Sequence, residues 1–292
     1  MTKTIGFIGL GLMGAGFTKR LAAKGYRVIG FDIEKARLDE ARGWGVEAGA
    51  SPAAVAAAAD MVAICVTTTK AVEAVTLGEN GLASAAALKG KTVVDFSTTE
   101  IDTTLRIANE LQQRGIAFID APVSGGPGAA EAGTLAIMAG GTEGAMASVQ
   151  PVLEALGQVT HMGAVGAGQA TKLVNQALCL TNYCVVAEGL RLAEAYGVDT
   201  RKIPAALAPG LANSAVLQTI YPRMVERDYA PRGYARQVLK DLEMLQEATR
   251  KQHLAMPMVA QATTLFRMLV AQGKSELDGA AVVELIPEPE KH

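Results

Sequence analysis

At 292 residues the chain is long enough for two domains of roughly 150 residues, each with its own apolar core. Half of it is apolar, with 31 Gly and only 4% aromatic residues, a composition that suits an α/β protein with closely packed helices. A net charge of −2 without basic runs argues against a nucleic-acid or polyanionic membrane surface, and no uncharged apolar run reaches the ~18 residues of a membrane span.

The first half alternates strand-like and helical runs. Strands are predicted over 4–8, 27–31, 61–66, 92–95, 117–120, 134–139 and 158–160, and helices over 13–24, 35–43, 52–58, 72–77, 101–114 and 143–156. This alternation implies βαβ units, hence a Rossmann-type, doubly wound, mostly parallel sheet.

The first turn reads Gly9-Leu10-Gly11-Leu12-Met13-Gly14, a G-x-G-x-x-G pattern placed between a strand and a helix. Gly9 permits the tight turn, Gly11 lets the backbone approach a pyrophosphate, and Gly14 lets the helix pack on the strand. Leu10, Leu12 and Met13 lie where the turn and helix N-terminus offer N–H groups to phosphates. A Gly-rich turn alone is a weak signal, but the next strand ends in Asp32, 21 positions after Gly11. A carboxylate there accepts ribose hydroxyls and repels a 2′-phosphate, which favours NAD over NADP. The alternative is a helix N-cap for the segment starting near Ile33. Lys35 and Arg37 lie close by and leave NADP open.

Further along, Asp120-Ala121-Pro122-Val123-Ser124-Gly125-Gly126-Pro127 follows a strand, at the sheet edge where open α/β sheets bind ligands. Gly125 and Gly126 leave N–H groups uncovered and Ser124 adds a hydroxyl, a nest for a carboxylate. A plain turn needing positive φ explains the same glycines.

From Gly168 the pattern changes. A long helix is predicted over 169–196, apolar on nearly all sides. At ~1.5 Å per residue it would run about 40 Å, enough to cross from one domain into another. Only helical segments follow, over 203–207, 214–227, 235–251, 257–272 and 279–285. The expected architecture is therefore a cofactor-binding domain over 1–164 and an all-α domain over 165–292, joined by the long interdomain helix.

Lys172 and Asn175 are three apart on that helix and share a face, with Gln176 four positions from Lys172. A buried lysine is costly unless paired or neutral, and desolvation lowers a lysine pKa, as a general base near neutral pH requires. Asn175 is placed to fix a substrate hydroxyl or carboxylate; a solvated lysine at a helix start is the alternative. Lys240-Asp241 reads either as a surface ion pair or as a pair that contacts the nicotinamide end or orders Lys172. Cys65, Cys179, Cys184, His161, His253 and His292 show no ligand spacing, so no metal site is expected. The odd cysteine count, and an opening without signal-peptide regions, point to a cytoplasmic protein.

Gly9 to Gly14, Asp120 to Gly126, Gly166 to Asn175 and Lys240-Asp241, in that order, resemble the β-hydroxyacid dehydrogenases. That family includes 3-hydroxyisobutyrate dehydrogenase, tartronate semialdehyde reductase and relatives of 6-phosphogluconate dehydrogenase, and the match runs end to end. The resemblance implies an NAD(P)-dependent oxidoreductase of a small 3-hydroxy acid, with Lys172 as acid/base and Asn175 positioning substrate. It makes Ser124, Gly125 and Gly126 the carboxylate loop and Val66, Thr67, Thr98 and Lys240 cofactor contacts; Gln176 and Asp241 are candidate substrate contacts. It also implies a homodimer or homotetramer built partly on the long helix.

Two departures stand out. Val66-Thr67-Thr68-Thr69-Lys70 replaces a frequent Leu-Pro after the third strand, and Gln176 replaces the second Asn of a common Lys-x-x-Asn-Asn pattern. An imine reductase of the same architecture, usually with Asp or Tyr at the Lys172 position, and a catalytically silent scaffold are the rival readings. The group at carbon 2 of the substrate is expected to be read around Ala212-Asn213-Ser214.

Overall fold

The computed structural model describes residues 3–289, and its contacts divide the chain into two compact units, 1–172 and 173–292. The first unit is built on β1 (Thr4–Ile8), β2 (Arg27–Phe31), β3 (Glu47–Ala48), β4 (Met61–Ile64), β5 (Thr92–Asp95), β6 (Ala117–Asp120), β7 (Val123–Ser124), β8 (Leu135–Gly140) and β9 (Gly157–Gly163). They form one sheet in the order β3-β2-β1-β4-β5-β6-β8-β7, with β9 paired to β8. Every pairing from β3 to β6 is parallel, whereas β8 runs antiparallel to β6 and β7. This is the expected Rossmann-type sheet.

The chain leaves β1 towards β2 on one side and reaches β4 on the other. That strand-order reversal is where open α/β sheets bind ligands, at the carboxyl ends of the strands. β4 and β5 are buried along their whole length, as strands covered on both faces must be. Alternate residues feed opposite cores: Phe7, Ala63 and Val94 pack with Phe17 and Phe96, while Ile8, Val62, Ile64 and Val93 pack with Ile107 and Leu111.

The strands at 4–8, 27–31, 92–95 and 117–120 have their predicted bounds. β4 stops at Ile64 rather than 66, because the Val66 N–H turns to donate to Ser97 Oγ at 3.0 Å. The two-residue β3 and β7 and the helix Gly126–Ala132 are not anticipated by the sequence pattern.

The long helix spans Ala167–Ala195, starting two residues before its predicted bound. In the second unit it is followed by helices Ile203–Leu207, Ala215–Thr219, Tyr221–Val225, Ala235–Lys251 and Pro257–Ala271 and the 3₁₀ segment Gly279–Leu285. The single helix predicted over 214–227 is two short ones. Pro222 lacks an N–H, and its ring crowds the carbonyl four residues back, which interrupts the ladder at Ile220. The core of this unit gathers Tyr221, Leu242, Phe266, Leu269 and Ala281 around the long helix residues Leu180, Ala187 and Leu190. Among the described residues no helix is long and apolar enough to cross a membrane.

Candidate active site

The Gly-rich turn at the end of β1 is shaped by steric need. Gly9 has φ +95, and a Cβ on it would lie 2.2 Å from the Cys65 carbonyl oxygen. A Cβ on Gly14 would lie 2.0 Å from the Gly9 carbonyl oxygen, so the helix Leu12–Ala23 rests directly on the turn. Among the described residues, the neighbour a Cβ on Gly11 would meet is the Arg37 guanidinium, 3.5 Å away. The backbone there is open, and no side chain caps the helix N-terminus that carries Leu12 and Met13. An open glycine backbone leading into uncapped N–H groups fits a pyrophosphate.

Asp32 is only 8% exposed and is fixed by backbone donors. The Leu10 N–H donates to its Oδ2 at 2.7 Å and the Glu34 N–H to its Oδ1 at 2.8 Å. The N-cap alternative is therefore corrected: the helix Lys35–Arg42 has Glu34 at its cap, and Asp32 instead ties β2 to the fingerprint turn. Arg37 Nη1 lies 3.7 Å from Asp32 Oδ2, which places a cation beside both Asp32 and Gly11.

After β4 and β5 the loops are laced together. The Val66 N–H donates to Ser97 Oγ, and the Glu100 N–H donates to Thr69 Oγ1 at 3.2 Å. Thr68, rather than Thr67, caps the helix Thr69–Leu77, and Thr67 is exposed. Thr98 stands between two residues held by one side chain: Gln169 Nε2 donates to the Ser97 carbonyl at 2.8 Å, and the Thr99 N–H donates to Gln169 Oε1 at 3.0 Å.

Two carboxylates support this arrangement. Asp95 and Asp120 are register partners at the ends of β5 and β6, and both are fully buried. Asp95 accepts from the Ser97 N–H and the Thr99 hydroxyl; Asp120 accepts from the Gly166 N–H at 2.7 Å and the Gln169 N–H at 2.8 Å. Burial pushes each carboxyl up to about 6, against hydrogen bonds that pull it down. A Cβ on Gly168 would meet the carbonyl oxygens of Asp120 and Met138 at 2.4 and 2.5 Å, so the long helix begins in close contact with β6 and β8.

One turn further along that helix, Lys172 is buried (8% exposed), and its Nζ donates to the Val123 carbonyl at 2.7 Å. The solvated-lysine alternative is thereby corrected. Val123 precedes Ser124 in β7, and the chain then passes through Gly125 (φ +133) and Gly126 (φ +74) into a helix without a side-chain cap. The structure thus brings the lysine amine to the foot of the predicted carboxylate loop. The positive-φ turn reading of the glycines holds alongside it.

In the second unit, Asn175 Nδ2 donates to Gln176 Oε1 at 2.8 Å and Gln176 Nε2 donates to Asp241 Oδ2 at 2.5 Å. Lys240 Nζ lies 2.8 Å from Asp241 Oδ1, with the two side chains only 27% and 14% exposed. The ion pair expected of Lys240-Asp241 is present, and the aspartate is in addition tied to the long helix through Gln176. Of the expected specificity stretch, Asn213 Oδ1 accepts from Gln218 Nε2 and Ser214 Oγ caps the next helix, so both serve their own turn.

The residues missed from the sequence are Gln169, Ser97 and Thr99, together with the paired roles of Asp95 and Asp120. One signal was available: a carboxylate ends each of two neighbouring strands, where apolar residues would otherwise be expected.

The chain matches two family models, the NAD binding domain of 6-phosphogluconate dehydrogenase over residues 4–166 and the NAD-binding domain of NADP-dependent 3-hydroxyisobutyrate dehydrogenase over 166–286. It is 36% identical to 2-hydroxy-3-oxopropionate reductase of Escherichia coli (strain K12), over 97% of this chain and 96% of that one. Among solved structures, 3-hydroxyisobutyrate dehydrogenase from Salmonella typhimurium superposes with a TM-score of 0.88 at 26% identity, covering 97% of this chain and 100% of the other. Psf3 in complex with NADP+ and 2-OPP gives 0.90 at 25%, with the same coverage. With both halves matched, the chain belongs to the β-hydroxyacid dehydrogenases, NAD(P)-dependent oxidoreductases that act on CH–OH groups.

Proposed function

We propose that this chain interconverts a small 3-hydroxy acid and its 3-oxo acid, with Lys172 as the general acid/base. The observation that carries the reading is the bond from Lys172 Nζ to the Val123 carbonyl, beside the Ser124-Gly125-Gly126 loop. Ser124 Oγ and the N–H groups of Gly125 and Gly126 hold the substrate carboxylate, and the rest of a short acid then lies within reach of the lysine. In oxidation neutral Lys172 takes the hydroxyl proton; in reduction its protonated form returns that proton to the forming alkoxide. The bound nicotinamide cofactor supplies the hydride acceptor or donor. Asn175, one turn on from Lys172, orients the substrate, and its own amide is braced by Gln176 and Asp241.

Fixed by two backbone donors, Asp32 retains acceptor capacity for ribose hydroxyls, which favours NAD. Arg37 beside Gly11 supports acceptance of NADP as well. The 36% identity to 2-hydroxy-3-oxopropionate reductase supports that semialdehyde as substrate, with 3-hydroxyisobutyrate the second candidate. The long helix leaves Leu178, Val185 and Leu192 exposed along an apolar groove of about 680 Å³, which supports a homo-oligomer formed through this face.

A panel of 3-hydroxy acids tested with NAD and with NADP, followed by cofactor absorbance, is the direct test. Reduction of cofactor by a three- or four-carbon 3-hydroxy acid is expected. Turnover of imines alone would move the reading to an imine reductase. Normal cofactor binding with no turnover of any acid would make the chain a silent scaffold.

A further inference from the structure

We infer that Gln169 is a positioning residue that locks the helical turn carrying Lys172 to the loop carrying Thr98, so that the base and the cofactor-side loop are held as one piece. The inference rests on the reading of Lys172 as acid/base. Gln169 is 1% exposed, and its amide reaches two backbone groups about 70 residues away in sequence, on either side of Thr98. It donates to the Ser97 carbonyl and accepts from the Thr99 N–H, as a neighbouring strand would. Its own N–H is held by Asp120, and Asp95 grips the same Ser97 and Thr99 from the other side. The Ser97 hydroxyl then takes the Val66 N–H, which adds the loop after β4. Every member of this set lies within the first unit, and Lys172 follows Gln169 by three residues, about one turn.

Only a neutral group with one donor and one acceptor completes the set. An apolar side chain would leave a carbonyl and an N–H without partners, and a carboxylate would face the Ser97 carbonyl with no proton to offer. A protonated glutamic acid, however, has the same donor and acceptor as glutamine. The titratable groups that face this position are Asp95 on β5 and Asp120 on β6, with Lys172 on its own helix, so the unsubstituted protein must be profiled alongside.

The test is kcat against pH for Gln169→Glu and Gln169→Met, with cofactor affinity by fluorescence and a melting curve for each. Gln169→Glu should retain kcat within ~3-fold at mildly acidic pH, then lose about a hundredfold as the new carboxyl ionises, the order expected for ~1 Å misplacement of a reacting group. Assayed as acid oxidation, where Lys172 acts as the base, the unsubstituted protein should lack that descending limb. Gln169→Met should be low in kcat at every pH, with its substrate KM little changed. If it fails to fold, Gln169→Glu decides alone, because its acid form keeps both bonds. Folded variants with the parental kcat and pH profile would overturn the inference, as would a change in cofactor affinity with kcat untouched. Lys172→Ala is measured in parallel: full activity there would refute the acid/base reading itself, while the pH limb of the Gln169→Glu variant would still report on the loop contact.

Discussion

The Nζ of Lys172 donates to the carbonyl of Val123 across a sequence separation of 49 residues, at 2.7 Å. That bond gives a buried lysine a polar partner and sets its amine at the start of the Ser124 to Gly126 segment, the proposed carboxylate loop. The lysine's burial and the loop's glycines are the two features that the proposed acid/base reading joins.

The two loop glycines should respond differently to a methyl group. Gly126 has φ +74 with open space around it, so Gly126→Ala should fold and lose about 1–2 kcal/mol of stability from backbone strain. Gly125 has φ +133, and a Cβ there would lie 2.7 Å from the Ala129 Cβ, so Gly125→Ala should lower the melting temperature further. If the loop binds the carboxylate, folded Gly126→Ala should raise the acid's KM about tenfold, the effect of one weakened charge-assisted hydrogen bond. An unchanged KM would remove the loop from the substrate site.

Cofactor choice is expected to turn on Arg37. Removing it by Arg37→Ala should weaken NADP by about 10- to 100-fold, the worth of a charged hydrogen bond, and leave NAD within ~3-fold. Fluorescence titration with both reduced cofactors reads this directly. Equal losses for both would mean that Arg37 serves the turn through Asp32 rather than the 2′-phosphate.

The burial of Asp95 and Asp120 leads to an expected pH dependence of stability. Both are raised by burial from 3.8 to about 6, so the folded state holds their protons more tightly than the unfolded chain. Their contribution is fully present below about pH 4, is lost as pH rises through about 6, and is level above that. The melting temperature should therefore be higher near pH 5 than near pH 7, and Asp95→Asn should flatten part of that slope. The carboxylates held low by exposed arginines, such as Glu247 and Glu276, finish titrating below this window. A flat or rising profile across it would contradict the burial of this pair.

Polar substitution on the long helix should change mass rather than fold. Leu178 and Leu192 are 70% and 62% exposed, so Leu178→Asp and Leu192→Asp cost no core packing. Sedimentation should show an oligomer for the unsubstituted chain and a monomer for the double variant. A monomeric parent would refute the proposed interface.

Much of the fold was legible because short apolar runs, bounded by turn residues and alternating with amphipathic helices, mark parallel strands with little ambiguity. Four strand bounds follow directly from that pattern. β3 and β7 escaped because two residues carry no periodicity, and the break at Ile220 escaped because Pro222 is tolerated at the first turn of a helix as well as fatal within one. In the candidate site, Gly9 and Gly14, fixed by steric need, and the unusually buried Asp32 and Lys172 were legible because each is an odd residue for its position. Gln169 was not: a neutral amide among apolar neighbours gives no signal until its partners at Ser97 and Thr99 are folded against it. The pairing of Gln176 with Asp241 was hidden for the same reason, by a separation of 65 residues.

The most direct test of the central claim is Lys172→Ala, assayed for turnover of the best 3-hydroxy acid and, separately, for reduced-cofactor binding. Cofactor affinity within ~3-fold of the parent with kcat down by at least about a thousandfold is expected, since general acid/base groups contribute about 10²–10⁴-fold. Retention of turnover by a folded Lys172→Ala protein would contradict it.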